Sequence, residues 1–333
     1  MSYARRYRRG IAERHPSGAG DELIRAAGIL PPQPARERER QAAMTTDRID
    51  QGTAPELKET TVDGARLCYA EAGTGDPLVL LHGWPESHRA WLHQIGPLSA
   101  RRRVLAPDWL GWGDSARDTA LSCDYDSEVD RIARMFDALG VDRVDLACHD
   151  YGGFLGLGFV QRHPDRVRRL AILNSRAHRT FTPPYRLLFG AFTVGSRHRP
   201  TRRLLATPPV YSVHRIGLAR YLRNGSFDRE KLARYLDVLR TPAGRRWYTH
   251  FWAGYEVRTR PELGARLHEI ACPTTVIWGT QDPAIPLRTA EELVARIPEA
   301  ELIRVDADHF LMEERPAEVT AALLHWLDRP TPK

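Results

Sequence analysis

Hydrophobic positions recur along the chain with two different periods, and each change of period marks an element. Over residues 56–71, Leu57, Thr61, Val62, Leu67 and Tyr69 alternate with polar residues and are interrupted at Asp63-Gly64, which predicts a two-stranded hairpin. Residues 77–81, 104–108 and 170–174, the run opening at Val144, and 272–279 are short and apolar without alternation, as strands of a sheet covered on both faces should be; 301–305 adds a last strand. Val129, Ile132, Met135, Phe136 and Leu139 fall at helical spacing across residues 125–139. From residue 175 to about 267 the alternation of strand and helix stops, giving way to helical stretches punctuated by Pro183-Pro184 and Pro208-Pro209. The pattern predicts an α/β fold: a mostly parallel central sheet flanked by helices, with a core of residues 51–174 and 268–333 and an inserted helical cap over 175–267. Residues 1–50, rich in arginine and proline, read as a disordered extension, and Met44 reads as an alternative start.

One stretch carries chemistry by itself. Val144-Asp145-Leu146-Ala147-Cys148-His149-Asp150-Tyr151-Gly152-Gly153-Phe154 runs from a buried strand through a tight turn into a helix, and thrusts Asp150 out at the apex. An aspartate there, with a reference pKa of about 3.9, is an anion at neutral pH and suits displacement at saturated carbon. The product is an ester that water must hydrolyse, so a base is needed only in the second half. The plainer alternative is that Asp150 caps the following helix. Cys148 stands where the turn needs a small residue and is read as steric.

Composition narrows the partners. The net charge of +7 comes almost entirely from arginine, with lysine only at Lys58, Lys231 and Lys333, and no basic stripe interleaved with aromatics suggests nucleic acid. The arginines of the cap are read as a solvated surface rather than an acidic-substrate site. Cys68, Cys123, Cys148 and Cys272 are isolated, as buried thiols in a reducing cytoplasm would be. No apolar run nears the roughly 18 residues of a membrane span, and no apolar segment follows Arg5-Arg6-Tyr7-Arg8-Arg9. Gly111-Trp112-Gly113-Asp114-Ser115 lacks the length and the lysine of a phosphate loop, and the histidines lack metal-ligand spacing. No metal and no organic cofactor is therefore expected, nor a membrane partner.

His82-Gly83-Trp84-Pro85-Glu86-Ser87 and His149-Asp150-Tyr151-Gly152-Gly153, within residues 55–174 and 270–329, resemble the α/β-hydrolase superfamily in its aspartate-nucleophile branch, and epoxide hydrolases most of all. Cys148 departs from the glycine of that pattern. The resemblance implies an α/β-hydrolase fold and the chain order nucleophile, acid, histidine. It makes Asp150 the nucleophile, Asp282 the acid that orients the histidine, and His309 the base. The backbone N–H groups of Trp84 and Tyr151 become the oxyanion donors, with His82, His149 and Trp247 around the pocket. Trp247-Tyr248 resembles the Trp-Tyr pair of a late cap helix, and Tyr185 with Phe189 the surroundings of an earlier tyrosine, so Tyr248 and Tyr185 are the implied proton donors. The expected activity is epoxide hydrolysis on a small apolar organic substrate with water, in a cytoplasmic protein that can form a homodimer. Two alternatives stand beside it. One is a haloalkane dehalogenase with the same triad, against which Tyr151 counts because dehalogenases carry tryptophan there. The other is a non-hydrolytic or binding member of the fold in a biosynthetic pathway.

Overall fold

The computed structural model describes residues 53–223 and 225–331, so the disordered extension expected over 1–50 lies outside the described residues. Eight strands form one sheet: β1 (Glu56–Val62), β2 (Ala65–Ala72), β3 (Pro77–Leu81), β4 (Arg103–Pro107), β5 (Val144–His149), β6 (Val167–Leu173), β7 (Thr274–Gly279) and β8 (Glu301–Val305). Their order is β1-β2-β4-β3-β5-β6-β7-β8, antiparallel at the β1-β2-β4 edge and parallel elsewhere. The hairpin turns at Asp63-Gly64, both at positive φ (54° and 77°), the backbone that a two-residue turn between right-twisted strands requires. Every residue of β5 and β7 is buried, which is why the run at Val144 and residues 274–279 show no alternation.

Helices α1 (Leu92–Ser99), α2 (Tyr125–Ala138) and α3 (Asp150–Arg162) follow β3, β4 and β5. The excursion between β6 and β7 is helical: α4 (Pro183–Arg197), α5 (Arg199–Leu205), α6 (Pro209–Gly217), α7 (Ala219–Arg223), α8 (Arg229–Tyr235), α9 (Pro242–Gly254) and α10 (Pro261–Ala265). Helices α11 (Leu287–Val294), α12 (Leu311–Glu314) and α13 (Pro316–Asp328) complete the core. Two apolar layers cover the sheet. The larger spans α2, α3 and the helical insertion through Phe136, Phe154, Phe159 and Trp252, and the smaller joins α1 and α13 through Trp91, Ile95, Leu323 and Trp326. The turn at Gly111 and Trp247 of α9 define each other. Gly111 has φ 80°, and a Cβ there would lie 1.7 Å from Trp247 Cε2, so only glycine admits the indole.

Candidate active site

Asp150 sits at the end of β5 with φ 45°, a left-handed backbone that costs a non-glycine residue of order 1–3 kcal/mol. Its neighbours enforce that strain. The Ser175 hydroxyl donates to the Asp150 carbonyl at 2.6 Å. A Cβ on Gly152 would come within 2.5 Å of the His82 carbonyl, so the helix can start this close to β3 only with glycine there. Cys148 answers for its own departure from glycine. It is fully buried with Sγ 3.3 Å from the Ala171 carbonyl, opposite Gly156, where a side chain would meet the sulfur at 2.9 Å. Burial pushes its thiol well above the usual range, as befits an inert packing residue.

The carboxylate has two distinct sides. Oδ2 accepts the Trp84 N–H at 2.9 Å, and Oδ1 faces His309 Nε2 at 3.8 Å. Asp282, after β7, takes the other face of the imidazole, with Nδ1 2.6 Å from Oδ2. Four further donors fix Asp282 or its support. Ala284 and Ile285 N–H donate to Oδ1 at 2.7 and 3.0 Å, the Asn174 amide donates to Oδ2 at 2.7 Å, and Asn174 in turn accepts Gly279 N–H at 2.7 Å. Burial alone would push the Asp282 carboxyl up, but the imidazole and these donors hold it below its ordinary value. For His309, burial works to lower the pKa, and the carboxylates of Asp282 and Asp150 overcome it, raising the imidazole to about 9.

His82 and His149 stand behind this layer. Both are fully buried. His82 donates from Nδ1 to the Gly83 carbonyl at 2.8 Å and accepts Trp109 N–H on Nε2 at 3.2 Å, the neutral tautomer that its lowered pKa, caused by burial, requires. His149 donates from Nε2 to the His309 carbonyl at 2.9 Å and meets Glu86 Oε2 through Nδ1 at 2.8 Å; Glu86 Oε2 also accepts Gly83 N–H at 2.7 Å. One carboxylate thus ties the turn bearing Trp84, the elbow and the histidine loop together. Glu86 and Asn174 stand in stretches that the sequence reading uses, but it assigns neither of them a role in the site. Their spacing to His149 and Asp282 is long in the chain, and only β3–β5 and β6–β7 pairing makes it short.

Above Asp150 and His309 opens an apolar cavity walled by Trp84, Phe189, Phe192, Leu218 and Phe310. Tyr185, Tyr221 and Tyr255 reach it. Tyr185 and Tyr221 are hydrogen-bonded to each other, and burial raises both phenols above their ordinary value, so each keeps its proton at neutral pH. Tyr221 packs edge-on against Phe310 with ring centroids 4.6 Å apart, next to the histidine. Nothing in Ala219-Arg220-Tyr221-Leu222 marks it in the sequence.

Tyr248 and Trp247 are brought elsewhere. Both are buried and neither borders the cavity. The Tyr248 hydroxyl contacts His214 Nε2. His214 Nδ1 meets the Val210 carbonyl at 2.8 Å and so carries the ring proton; with burial lowering its pKa to about 4, the Nε2 lone pair accepts a hydrogen bond from the Tyr248 hydroxyl. Tyr151 is the second residue of α3, and its ring packs among Trp109, Phe251 and Tyr255 rather than in the cavity. Among the described residues His88, Asp108 and Asp114 bring ligand atoms within 4.8 Å of one another, but Asp108 is committed to the His88 and Asp114 N–H groups at 2.6 and 2.9 Å.

A family model described as alpha/beta hydrolase fold matches residues 76–316. Epoxide hydrolase A of Mycobacterium tuberculosis is 31% identical over 318 residues, which cover 82% of this chain and 98% of that protein. Haloalkane dehalogenase 2 of Mycobacterium bovis is 29% identical over 272 residues, covering 78% and 90%. Among solved structures, the ligand-free epoxide hydrolase CorEH superposes with a TM-score of 0.68 at 25% identity, covering 82% of this chain and 98% of that one. With the order of its strands, the strained turn after β5 and a match across most of its length, the chain belongs to the α/β hydrolase fold family.

Proposed function

We propose that this hydrolase-family chain opens epoxides through an ester on Asp150. The observation that carries the reading is the cavity itself: Asp150 Oδ1 on its floor, with the paired phenols of Tyr185 and Tyr221 on its wall. Oδ1 attacks a ring carbon while the C–O bond breaks, and the departing oxygen takes a proton from one phenol, which becomes a phenolate. Esterification removes the Asp150 charge that helps to keep His309 protonated, so the imidazolium passes its proton to the phenolate and becomes a base. His309 then takes a proton from water, whose oxygen adds to the Asp150 carboxyl carbon. The oxyanion develops on Oδ2 against the Trp84 N–H, with Tyr151 N–H as the second donor. Collapse breaks the ester bond, the diol oxygen takes the carboxyl proton, and the resting carboxylate and imidazolium return. The apolar walls favour a small apolar epoxide.

Dehalogenation is the second reading, favoured by the likeness to haloalkane dehalogenase 2 and by the Trp84 indole at the cavity. Against it, a halide needs N–H donors from two sides, and the ring of Tyr151 lies away from the cavity. The deciding experiment is the intact mass of a His309→Gln variant mixed with a styrene-oxide-type epoxide and, separately, with a bromoalkane. Without the base the ester accumulates, and a gain equal to the whole epoxide on Asp150 is expected. A gain of the alkyl group from the bromoalkane alone would establish dehalogenation, and no adduct from either would sink both readings.

The phenols give a second prediction. Tyr185→Phe and Tyr221→Phe should each slow epoxide opening about tenfold, because either partner can still donate, and the double variant should lose on the order of 10³-fold. Tyr248→Phe should leave the rate within about twofold while costing about 1 kcal/mol of stability, since it removes only the donor to His214. Single-turnover rates and thermal unfolding of the variants check both; a collapse of activity in Tyr248→Phe would return that residue to the mechanism.

A further inference from the structure

Between Ser175 and Phe227 the chain has ten arginines and no aspartate or glutamate. This acid-free segment builds α4–α7. It also holds six of the seven large hydrophobic side chains exposed among the described residues: Leu187, Leu188 and Val194 on α4, Leu204 on α5, and Val213 and Ile216 on α6. Leu187 and Ile216 are 77% and 73% exposed, far beyond an ordinary stray surface leucine. The same segment carries Arg186, Arg199, Arg203, Arg215 and Arg223, exposed and with no carboxylate partner among the described residues. Read along the sequence the arginines look scattered. On the helices, Arg186 adjoins Leu187, Arg203 adjoins Leu204 and Arg215 adjoins Ile216, so exposed cations stand beside exposed aliphatic side chains.

The patch coincides with the mouth of the cavity. Leu188 and Val213 are at once exposed and part of the cavity wall, as is Gly217, so α4 and α6 flank the opening, with Leu187 and Ile216 one residue outside it. Exposed aliphatic side chains within a cationic, acid-free surface match an anionic bilayer: the side chains enter the headgroup boundary, and arginines reach phosphates from around them. A second copy of the chain fits poorly, because it would set Arg186, Arg199, Arg203, Arg215 and Arg223 against the same five arginines. No helix among the described residues is long and apolar enough to cross a membrane.

We propose that the α4–α6 face lies on the surface of anionic phospholipid membranes and that the cavity takes its apolar substrate directly from the bilayer. An apolar epoxide then reaches Asp150 without leaving an apolar phase. The membrane contact itself does not depend on the reaction, and the test has no catalytic readout, so the two can fail separately.

The test is flotation of the full chain with vesicles of phosphatidylcholine and phosphatidylglycerol, and of phosphatidylcholine alone. The wild type should float with the mixed vesicles, less with the neutral ones, and progressively less as salt rises. Arg186→Ala with Arg215→Ala should weaken binding to mixed vesicles by roughly 25-fold, about fivefold for each arginine. Leu187→Asp with Ile216→Asp should abolish flotation while thermal unfolding stays as in the wild type. Wild-type protein that does not float with mixed vesicles would overturn the proposal. So would a Leu187→Asp/Ile216→Asp variant that floats normally, which would place the contact elsewhere in the chain. Self-association of the wild type in sedimentation, lost in that variant, would assign the face to a second copy instead.

Discussion

Asp150→Asn should abolish turnover, by at least about 10⁴-fold, and no covalent adduct should form with any epoxide. The amide keeps the shape of the side chain, so the cavity and the contact with the Trp84 N–H can persist. What it lacks is an anionic oxygen opposite His309, the atom that would form the bond. Its loss has a second consequence. Asp150 is one of the groups that raise the His309 pKa to about 9, so in the variant the imidazole should titrate below that value, as it would in the ester. NMR titration of the His309 ring in both proteins measures this directly. A downward shift in the variant would support the switch of His309 from acid to base on esterification; an unchanged value would remove it.

Asp282→Asn should act on the second half of the reaction. Every group around that carboxylate is a donor: the His309 ring N–H, the Asn174 amide, and the Ala284 and Ile285 N–H groups. An asparagine must turn its own NH₂ towards some of them, leaving buried donors unpaired at a cost of about 1–3 kcal/mol and freeing the imidazole to adopt the other tautomer. Ester hydrolysis should fall by about 10⁴-fold while the ester still forms, so mass spectrometry should find the adduct building up. Stability gives a second readout. A histidine whose folded pKa is raised to about 9, from 6.5, contributes stability that is fully present below about pH 6.5 and is lost as pH rises through 9. That contribution is on the order of 3 kcal/mol in the wild type. In Asp282→Asn the fall in thermal midpoint between those pH values should be much shallower. A variant that hydrolyses its ester at the wild-type rate would rule out Asp282 as the orienting acid.

Much of this protein is legible in one dimension, because its determinants are local. A strand buried on both faces needs only its own apolar residues, and a turn at Asp63-Gly64 or an elbow ending in Gly152-Gly153 needs only the right backbone at a few adjacent positions. That is why the strands, the hairpin and the apex position of Asp150 follow from the sequence, whereas Asp282 and His309, just beyond β7 and β8, are picked out by resemblance to a family. The sheet then brings together what is 27 and more than 100 residues apart.

The helical insertion is different, since an amphipathic helix specifies that it packs but not which neighbour each buried side chain meets. Trp247-Tyr248 has the look of a cavity pair, yet the space left by Gly111 takes the indole and the lone pair of His214 takes the phenol. Tyr221, unmarked in the sequence, reaches the cavity because α7 passes beside Phe310. Glu86 and Asn174 acquire partners only through strand pairing. The sheet and the elbow are legible in the chain because local backbone and periodicity set them, while the order Asp150, Asp282, His309 is legible only through resemblance to a family. Which tyrosines line the cavity, and which groups hold Asp150, Asp282 and His309, emerges only in three dimensions, because each depends on contacts between elements whose mutual placement no local pattern encodes.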